Sequence, residues 1–400
     1  MRTDFSPELL ATDKGARANE ILRACVHCGF CNATCPTYQL TGDELDGPRG
    51  RIYLIRELLE TGTNSERATY HLDRCLTCRA CETTCPSGVQ YGELAEIARN
   101  ELGPRRSGMT GWLRRGLRWM IPPAARLRRM ARLGRYFRWL LPGYLREQIP
   151  ARVGRPAGAA EAQQDAPNVL VLNGCAQQVS TAGTNEHLVQ LLVRHGINVT
   201  VATEETCCGS LDLHLGDEAA ALRRIRQNID ALTPHLGEVS AILSSASGCG
   251  VTVKDYARLL AQDPAYAEQA AQIAACTVDV SEYLAAQQLP LQARRGAGTR
   301  VAWHAPCSLQ HGQQVNGVVE ALLERAGYAL TEVKDKHLCC GSAGTYSVLQ
   351  PQMSAPLRAA KIKALQAAEP ACIATANVGC QVHLQQAAEV EVVHWIELLE

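Results

Sequence analysis

Apolar residues recur at helical spacing through the N-terminal part of the chain. In the stretch RIYLIRELLE (51–60) they lie three or four positions apart, which places them on one stripe of a helix. That stripe consists of Ile52, Ile55, Leu58 and Leu59. The pair Ile21 and Leu22 belongs to an earlier predicted helix, and YGELAEIARNEL (91–102) predicts a later one. We therefore expect residues 1–103 to form a mainly helical domain.

A different pattern begins after residue 167. Short apolar and β-branched runs alternate there with helical stretches. The runs are NVLVLNGC, INVTVA, VSAILSSASGC, TRVAWHAPC, YALTEVKD and ACIATANVGC. Alternation of strands with helices is typical of a parallel α/β sheet, so we expect the C-terminal part of the chain to be α/β.

Residues 104–167 connect these parts and have a distinct composition. The segment from Pro104 to Pro156 is rich in arginine, lacks lysine and contains one acid, Glu147. It carries Trp112, Trp119 and Trp139. Short helices broken by Pro122, Pro123 and Pro142 would have Trp and Leu on one side and Arg on the other. Such helices suit an anionic membrane surface, and docking on an acidic partner subunit is an equal alternative. The stretch GRPAGAAEAQQDAP (154–167) predicts a flexible linker.

Composition and charge indicate the compartment of the protein and the state of its cysteines. The 400 residues include 40 Lys or Arg and 40 Asp or Glu, so net charge indicates no charged partner, and no module supports nucleic-acid binding. The stretch MRTDFSPELL lacks the apolar region of a secretory signal, and no apolar run approaches the about 20 residues of a spanning helix. We therefore expect a cytoplasmic protein, in which thiols stay reduced. Its 18 cysteines then favour metal ligation over disulfides.

Two copies of one cysteine motif lie in the helical domain. CVHCGFCNATCP and CLTCRACETTCP have the same spacing and start 50 residues apart, at Cys25 and Cys75. Three closely spaced cysteines followed by Cys-Pro are typical of two-cluster ferredoxins, in which the fourth cysteine binds the other cluster. The expected ligands are Cys25, Cys28, Cys31 and Cys85 for a first [4Fe-4S] cluster, and Cys75, Cys78, Cys81 and Cys35 for a second. Two redox-silent zinc sites are the alternative.

A second cysteine repeat lies in the α/β part. Its copies are Cys175, Cys207, Cys208 and Cys249, and Cys307, Cys339, Cys340 and Cys380. Corresponding cysteines are 132 residues apart at three positions and 131 at the last, which indicates a duplicated domain. We therefore expect two α/β domains, residues 168–292 and 293–400, with the cysteines near the carboxyl ends of the strands. These cysteines could hold an iron–sulfur cluster, hold zinc or form a redox-active dithiol.

Other potential ligands lie outside this repeat. Cys276 and Cys372 have no repeated counterpart, and we expect both to be core residues. His304, His311 and His337 lie near the second copy. We expect each of these histidines to have a satisfied polar role rather than to bind a metal.

The chain resembles the iron–sulfur subunits of glycolate oxidase (glycolate dehydrogenase). The most specific stretches are CVHCGFCNATCPTYQLTGDELDGPRGRIYLIRELLE and HLDRCLTCRACETTCPSGVQYGELAEIARNELG, followed by two domains with a CCG corner. The likeness covers nearly the whole chain. It implies an α+β multidomain fold, with a mainly α-helical two-cluster ferredoxin module followed by a duplicated α/β cysteine-rich (CCG) domain. The family's CCG pattern ends in CxxC, but Ala246 and Asn377 replace the first cysteine of that pair here. A further cluster, zinc or no metal therefore remain open for these domains.

The resemblance implies an electron-transfer subunit of an oxidoreductase complex, with no catalytic residue of its own. FAD-containing partner subunits would oxidise glycolate to glyoxylate, and this chain would relay electrons to a membrane quinone or another acceptor. The sequence has no G-x-G-x-x-G loop opening a helix and no other flavin signature, so we expect no FAD on this chain. We expect it to associate peripherally with the inner face of the cell membrane. Alternatives are a homologous lactate- or glycerol-3-phosphate-oxidising complex, or a heterodisulfide-reductase-like thiol/disulfide enzyme.

Overall fold

The structure is a computed structural model of the chain. It describes residues 1–63, 65–103, 108–140, 153–163, 165–202 and 204–400. Pro142 and Glu147 of the Arg/Trp-rich segment lie outside the described residues. A helical N-terminal domain, a pair of arginine-rich helices and two α/β halves follow one another, which confirms the predicted α+β multidomain fold.

The N-terminal domain consists of helices around a common core. Its α-helices are Pro7–Leu10, Asp13–Ala24, Phe30–Ala33, Pro36–Thr41, Pro48–Thr61, Glu66–Asp73, Ala80–Thr83 and Tyr91–Leu102. Leu22, Ile55 and Leu94, from three of the longer helices, are fully buried together in this core. The apolar stripe predicted within 51–60 is confirmed as a core face, with Leu59 at its half-buried edge.

Each α/β half contains a four-stranded parallel sheet. The strands of the first half are β1 (Asn168–Val171), β2 (Asn198–Thr200), β3 (Ala241–Ser244) and β4 (Thr277–Asp279). Those of the second half are β5 (Arg300–His304), β6 (Ala329–Leu330), β7 (Cys372–Thr375) and β8 (Glu391–His394). The sheet orders are β2-β1-β3-β4 and β6-β5-β7-β8, so both halves have the same topology. This confirms the duplication inferred from the cysteine spacing.

Helices alternate with these strands and cover the sheets. Those of the first half are Gln177–Ser180, Ala182–Arg194, Ser210–His214, Glu218–Leu232, Ser247–Lys254, Tyr256–Leu259, Ala267–Cys276 and Val280–Gln287. Those of the second half are Val318–Arg325, Tyr346–Leu349, Pro351–Gln366 and Val378–Gln385, with a π-helical turn at Ser308–Gly312. Val169 and Leu188 of the first half share one apolar core with Val301 and Leu323 of the second, so the halves form one packed body.

Two strands and one connecting stretch differ from the sequence prediction. β4 and β8, with the sequences TVD and EVVH, are not among the six predicted runs, and β4 begins directly after the helix Ala267–Cys276, with no turn residue to mark its start. The described residues of 154–167, predicted to be a flexible linker, instead pack on the first sheet. Ala157 is buried, and Ala160 pairs antiparallel with Val199 of β2. Small residues allow this close approach. A Cβ at Gly154 would clash with Ala182, the first residue of the helix Ala182–Arg194.

The Arg/Trp-rich segment forms two α-helices, Gly108–Met120 and Ala124–Tyr136, which Pro122 and Pro123 separate as predicted. A short 3₁₀ turn at Arg138–Leu140 follows them. Among the described residues, no helix is long and apolar enough to cross a membrane.

The faces of the first arginine-rich helix differ from the predicted division into an aromatic side and an arginine side. Arg114 is buried against the N-terminal domain, where its guanidinium pairs with Asp73 at 2.7 Å. Arg118 also turns inward and pairs with carboxylates of the first α/β half. Trp112 and Trp119 are instead exposed, at 72% and 58%. Arginines thus anchor this helix, and tryptophans face outward.

Both α/β halves pack against the region that carries the second cysteine motif. Arg79, within the motif, pairs with Asp255 of the first half at 2.8 Å. The Tyr346 hydroxyl of the second half donates a hydrogen bond to the carbonyl oxygen of Arg74 at 2.9 Å. The second motif therefore lies at the junction of the three parts of the molecule.

Candidate metal centres

The four cysteines expected to hold the first cluster line one cavity of the N-terminal domain. They are Cys25, Cys28, Cys31 and Cys85. The cavity has a volume of about 430 Å³, part of it open to solvent, and Cys28 is exposed. Burial, together with the thiols of Cys25, Cys85 and Cys28, raises the pKa of Cys31 to about 11. Four thiols are thus gathered around a space that could accept a metal cofactor.

The second expected set lines a neighbouring cavity of about 370 Å³, part of it open to solvent. Its cysteines are Cys35, Cys75, Cys78 and Cys81. Burial raises the pKa of Cys78 and of Cys81 well above the ordinary value. Pro48, Cys81 and Tyr91 line both cavities, so the two spaces adjoin.

The two motif loops have the same backbone conformation. His27 and Gly29 in the first loop have φ angles of 55° and 83°, and Thr77 and Arg79 in the second have φ angles of 52° and 60°. Left-handed residues at these matched positions turn the chain tightly between successive cysteines. A one-turn helix follows in each motif. The duplicated spacing therefore produces a duplicated loop that directs three cysteines toward one cavity.

A buried arginine lies beside the second cysteine set. Arg51 is 1% exposed, and its guanidinium donates to the carbonyl oxygen of His71 at 2.8 Å and lies 3.6 Å from Asp46. Burial alone would raise the pKa of Cys75, but the positive charges of Arg51 and Arg99 outweigh it and lower that pKa. The apolar pattern does not reveal Arg51, because an arginine in an amphipathic helix is ordinary on an exposed face.

The four cysteines of the first α/β half converge beyond the carboxyl ends of its strands. Cys175 follows β1, Cys207 and Cys208 lie between β2 and the next helix, and Cys249 lies on the helix after β3. All four pack in one apolar cluster. A hydrogen bond with Cys207, together with burial, raises the pKa of Cys175, and the same bond lowers the pKa of Cys207.

The second half repeats this convergence. Cys307 Sγ and Cys339 Sγ are 3.7 Å apart, and Cys340 Sγ and Cys380 Sγ are 3.5 Å apart. None of the four forms a disulfide. Of the two cysteines outside the repeat, Cys372 within β7 is a core residue as expected, whereas Cys276, at the end of a helix, is half-buried at the edge of the core.

One expectation for the second half is wrong. His304, the last residue of β5, is 2% exposed, and neither ring nitrogen has a hydrogen-bond partner among the described residues. A ring nitrogen of His304 and the sulfurs of Cys340 and Cys380 all lie within 4.8 Å of one another. His311, by contrast, has partners for both ring nitrogens, one of them the carbonyl oxygen of His337 at 3.0 Å.

The second cavity adjoins the cysteines of the second half. Leu76 and Cys78 share an apolar cluster with Cys307, Cys339 and Tyr346. After burial, the thiol of Cys307 is the strongest influence that raises the pKa of Cys78. The second ferredoxin-type set therefore lies between the first set and the thiols of the second half.

Family comparisons match most of this architecture. Residues 21–89 match the family described as 4Fe-4S dicluster domain, and this range contains every cysteine of the two cavities. Residues 169–254 and 301–385 both match the family described as Cysteine-rich domain. The N-terminal domain is therefore an iron–sulfur domain, and the halves are two cysteine-rich domains.

Similar curated proteins extend over the chain. The glycolate oxidase iron-sulfur subunit of Escherichia coli is 46% identical over 408 residues, covering 100% of this chain and 98% of that protein. The probable glycolate oxidase iron-sulfur subunit of Bacillus subtilis is 29% identical and covers 94% of this chain and 92% of that protein. Lactate utilization protein A of Shouchella clausii is 22% identical and covers 58% of this chain and 98% of that protein. The chain therefore belongs to the family of glycolate oxidase iron–sulfur subunits, as its motifs predict.

Proposed function

We propose that this chain is the electron-transfer subunit of a glycolate-oxidising complex, with one [4Fe-4S] cluster in each cavity. Cys25, Cys28, Cys31 and Cys85 would hold the first, and Cys75, Cys78, Cys81 and Cys35 the second. The observation that carries the proposal is that each cavity is lined by the first three cysteines of one motif and by the fourth cysteine of the other, with Cys81 reaching both cavities. When bound, such clusters supply one-electron transfer.

The repeated cysteine motif supports clusters over zinc. A structural zinc site needs four ligands around a single ion. Here two copies of a Cys-x2-Cys-x2-Cys-x3-Cys-Pro run, typical of two-cluster ferredoxins, contribute eight cysteines to two adjoining cavities. Residues 21–89, which contain both copies, match the 4Fe-4S dicluster domain.

The charges around the two sets support transfer from the first to the second. Arg51 and Arg99 bring buried positive charge to Cys75. Arg49, which lines the first cavity, is half-exposed, so solvent screens its charge and that of its partner Glu44. Positive charge near a cluster favours its reduced form, because reduction adds a negative charge. Electrons are therefore held more favourably at the second set.

The surface around the first set supports contact with an electron donor. Cys28 is exposed, and so are the neighbouring apolar side chains of Val26 and Phe30. The half-exposed imidazole of His27 stacks on Tyr53, which adds to this surface. Exposed apolar residues beside a cofactor are typical of a protein-binding surface. We assign this surface to the FAD-containing subunits, in which glycolate would become glyoxylate.

The Arg/Trp-rich helices support an acceptor on the other side. The ion pair between Arg114 and Asp73 anchors the first of these helices close to the second cysteine set, since Asp73 lies two residues before Cys75. Trp112 and Trp119 face outward, and Arg115 stacks on the Trp112 ring at 5.0 Å. Exposed tryptophans among arginines suit the interface of an anionic bilayer. This side would deliver electrons to a membrane quinone, with the chain peripheral on the inner face of the cell membrane.

The assembled complex, purified through this subunit, tests the proposal. Addition of glycolate should transfer electrons to the iron–sulfur clusters, which EPR detects, and to an artificial dye. Lactate and glycerol-3-phosphate should transfer electrons to neither. A variant with Cys75→Ala should keep flavin reduction by glycolate but lose quinone reduction. Dye reduction with lactate in place of glycolate would assign the chain to a lactate-oxidising complex instead.

A further inference from the structure

His304 is a buried imidazole that lacks a hydrogen-bond partner for either ring nitrogen among the described residues. Burial of an unpaired polar group opposes folding, so such a group in a native core indicates a missing partner. A metal ion is one such partner, because a neutral imidazole nitrogen is a common metal ligand. The groups around His304 therefore decide what that partner is.

Two thiols lie within ligand distance of this imidazole. The sulfurs of Cys340 and Cys380 are 3.5 Å apart, and both lie within 4.8 Å of a ring nitrogen of His304. Zinc binds thiolate sulfur at about 2.3 Å, which places two sulfurs of one tetrahedron about 3.8 Å apart. The observed separation needs a movement of a few tenths of an ångström to match. A cubane cluster binds each cysteine through a different iron and would hold these sulfurs farther apart.

We propose that the second α/β half holds a single zinc ion, bound by His304, Cys340 and Cys380. One more thiolate, from Cys307 or Cys339, completes the tetrahedron. Both of these thiols are close enough to Cys340 to influence its ionisation, and their own sulfurs are 3.7 Å apart. On binding, each ligating thiol releases one proton to solvent and gives its sulfur lone pair to the ion, so no oxidant or reductant is needed.

The charge around the site agrees with three thiolates. Lys361 is buried, and its ammonium donates to the carbonyl oxygen of Asp335 at 2.8 Å but forms no ion pair with a carboxylate in the described part of the chain. Its positive charge interacts with Cys340 and Cys339. Zinc with three thiolates and one neutral imidazole carries one negative charge, which Lys361 would balance. Asn377 Nδ2 lies 3.7 Å from Cys380 Sγ and could support that thiolate.

The first half lacks the same site. Leu172 occupies the position 132 residues before His304, so no imidazole faces the first set of cysteines from β1. Cys208 and Cys249 are the counterparts of Cys340 and Cys380. The duplication therefore supplies a matched control, because the first half has the same thiols without the histidine.

Metal analysis of the purified full-length chain tests the inference without reference to enzyme activity. We expect about one zinc per chain in addition to iron. His304→Ala and Cys340→Ser should each lower zinc to about a tenth of that value and leave iron unchanged. Cys208→Ser, the matched control in the first half, should leave zinc unchanged. Zinc that stays bound in His304→Ala, or that falls equally in Cys208→Ser, would overturn the assignment.

Cobalt substitution guards against variants that fail to fold. The intact chain, depleted of zinc and given Co²⁺, should develop the visible absorption of a tetrahedral cobalt–thiolate site, and His304→Gln should shift these bands or remove them. Unchanged bands in His304→Gln would exclude the imidazole as a ligand. The zinc proposal is wrong if the chain contains no zinc and more iron than two clusters need. If Cys340→Ser then loses that additional iron, the second half holds a third cluster.

Discussion

Arg51 and Asp46 form an ion pair in which both side chains are buried, with 3.6 Å between the guanidinium Nη2 and the carboxylate Oδ1. Asp46 also pairs with Arg74 at 2.6 Å and with His71 at 2.9 Å. The network holds a positive charge beside Cys75 in a place that solvent does not screen. The second cysteine set thus has a buried positive charge beside it, held in place by the ion pairs of Asp46.

Replacement of Arg51 by methionine should lower the reduction potential at the second cysteine set, because a buried positive charge that favours reduction is removed. It should also lower the free energy of unfolding by about 3 kcal/mol, since part of the charge of Asp46 stays buried without its partner. A redox titration followed by EPR and a urea unfolding curve measure the two effects.

Arg49→Met is the matched control for this change. Arg49 lies two positions earlier on the same helix, but its pair with Glu44 is half-exposed, so we expect a loss of at most about 1 kcal/mol. It should leave the potential of the second cluster unchanged. Equal shifts at the second cluster in both variants would rule out a special role for Arg51.

Paired alanine variants test which cysteines share a cluster. With crossed ligation, Cys35→Ala combined with Cys75→Ala damages one cluster and should leave about four iron atoms per chain. Cys35→Ala combined with Cys25→Ala damages both clusters and should leave almost none. Iron analysis and EPR distinguish the two variants. The reverse result, with most iron lost from the first combination, would show that each motif binds its own cluster.

The contact between the two α/β halves should weaken in acid. His394 Nε2 donates to the carbonyl oxygen of Ser245 at 2.8 Å across the halves, and burial lowers its pKa to about 4. The folded chain therefore favours neutral His394, whose contribution is complete above its ordinary pKa of about 6.5 and is lost as the pH falls toward 4. At about 1.4 kcal/mol per pKa unit, the loss is about 3 kcal/mol.

Urea unfolding of the chain at pH 7.5, 6 and 5 measures this loss. His394→Asn should be less stable at pH 7.5 and should have a shallower dependence on pH, because the titrating group is gone. His214 and His383, whose pKa values burial also lowers, add slope in the same direction, whereas Glu205 and Asp279, whose pKa values burial raises, add slope in the opposite direction. A variant with the full slope of the parent chain would contradict a role for His394.

The outward tryptophans should control membrane binding. Trp112→Ala with Trp119→Ala should weaken binding to anionic vesicles at least about tenfold, because burial of each side chain contributes about 1.5–3 kcal/mol. Arg115→Gln with Arg129→Gln should weaken it less and make it less sensitive to salt. Vesicle sedimentation measures both variants.

Arg114→Gln is the control for the membrane prediction. It breaks a buried ion pair with Asp73 and should lower the stability of the chain rather than its affinity for vesicles. If the tryptophan variant binds vesicles normally but no longer assembles with its partner subunits, the exposed face is a docking surface for protein.

The sequence predicts the duplicated parts of this molecule well. Matched spacing predicts the loops at Cys25 and Cys75 and the repeated α/β topology, because a fixed number of residues between ligands constrains the backbone directly. β4 and β8 are missing from the sequence prediction; β4 follows the helix Ala267–Cys276 without a break, so no turn residue marks where the helix ends and the strand begins. Composition also gives the wrong prediction for the stretch around Ala157, because small residues occur in closely packed segments as well as in flexible linkers.

Long-range contacts explain what the sequence does not reveal. Arg51 and Arg114 are charged residues in helices, which periodicity assigns to an exposed face. Arg114 is buried against Asp73, which is distant in sequence, and Arg51 is buried against Asp46 and the carbonyl oxygen of His71, which lies on another helix. The lack of a partner for His304 likewise depends on the side chains that the folded sheet brings around it.

Iron analysis together with low-temperature EPR of the dithionite-reduced chain tests the central claim most directly. We predict about eight iron atoms per chain and the spectrum of two reduced [4Fe-4S] clusters that interact magnetically, as expected for adjoining cavities that share Cys81 and Tyr91. A chain that folds with zinc in place of iron, or that gives no reducible cluster signal, would contradict the account.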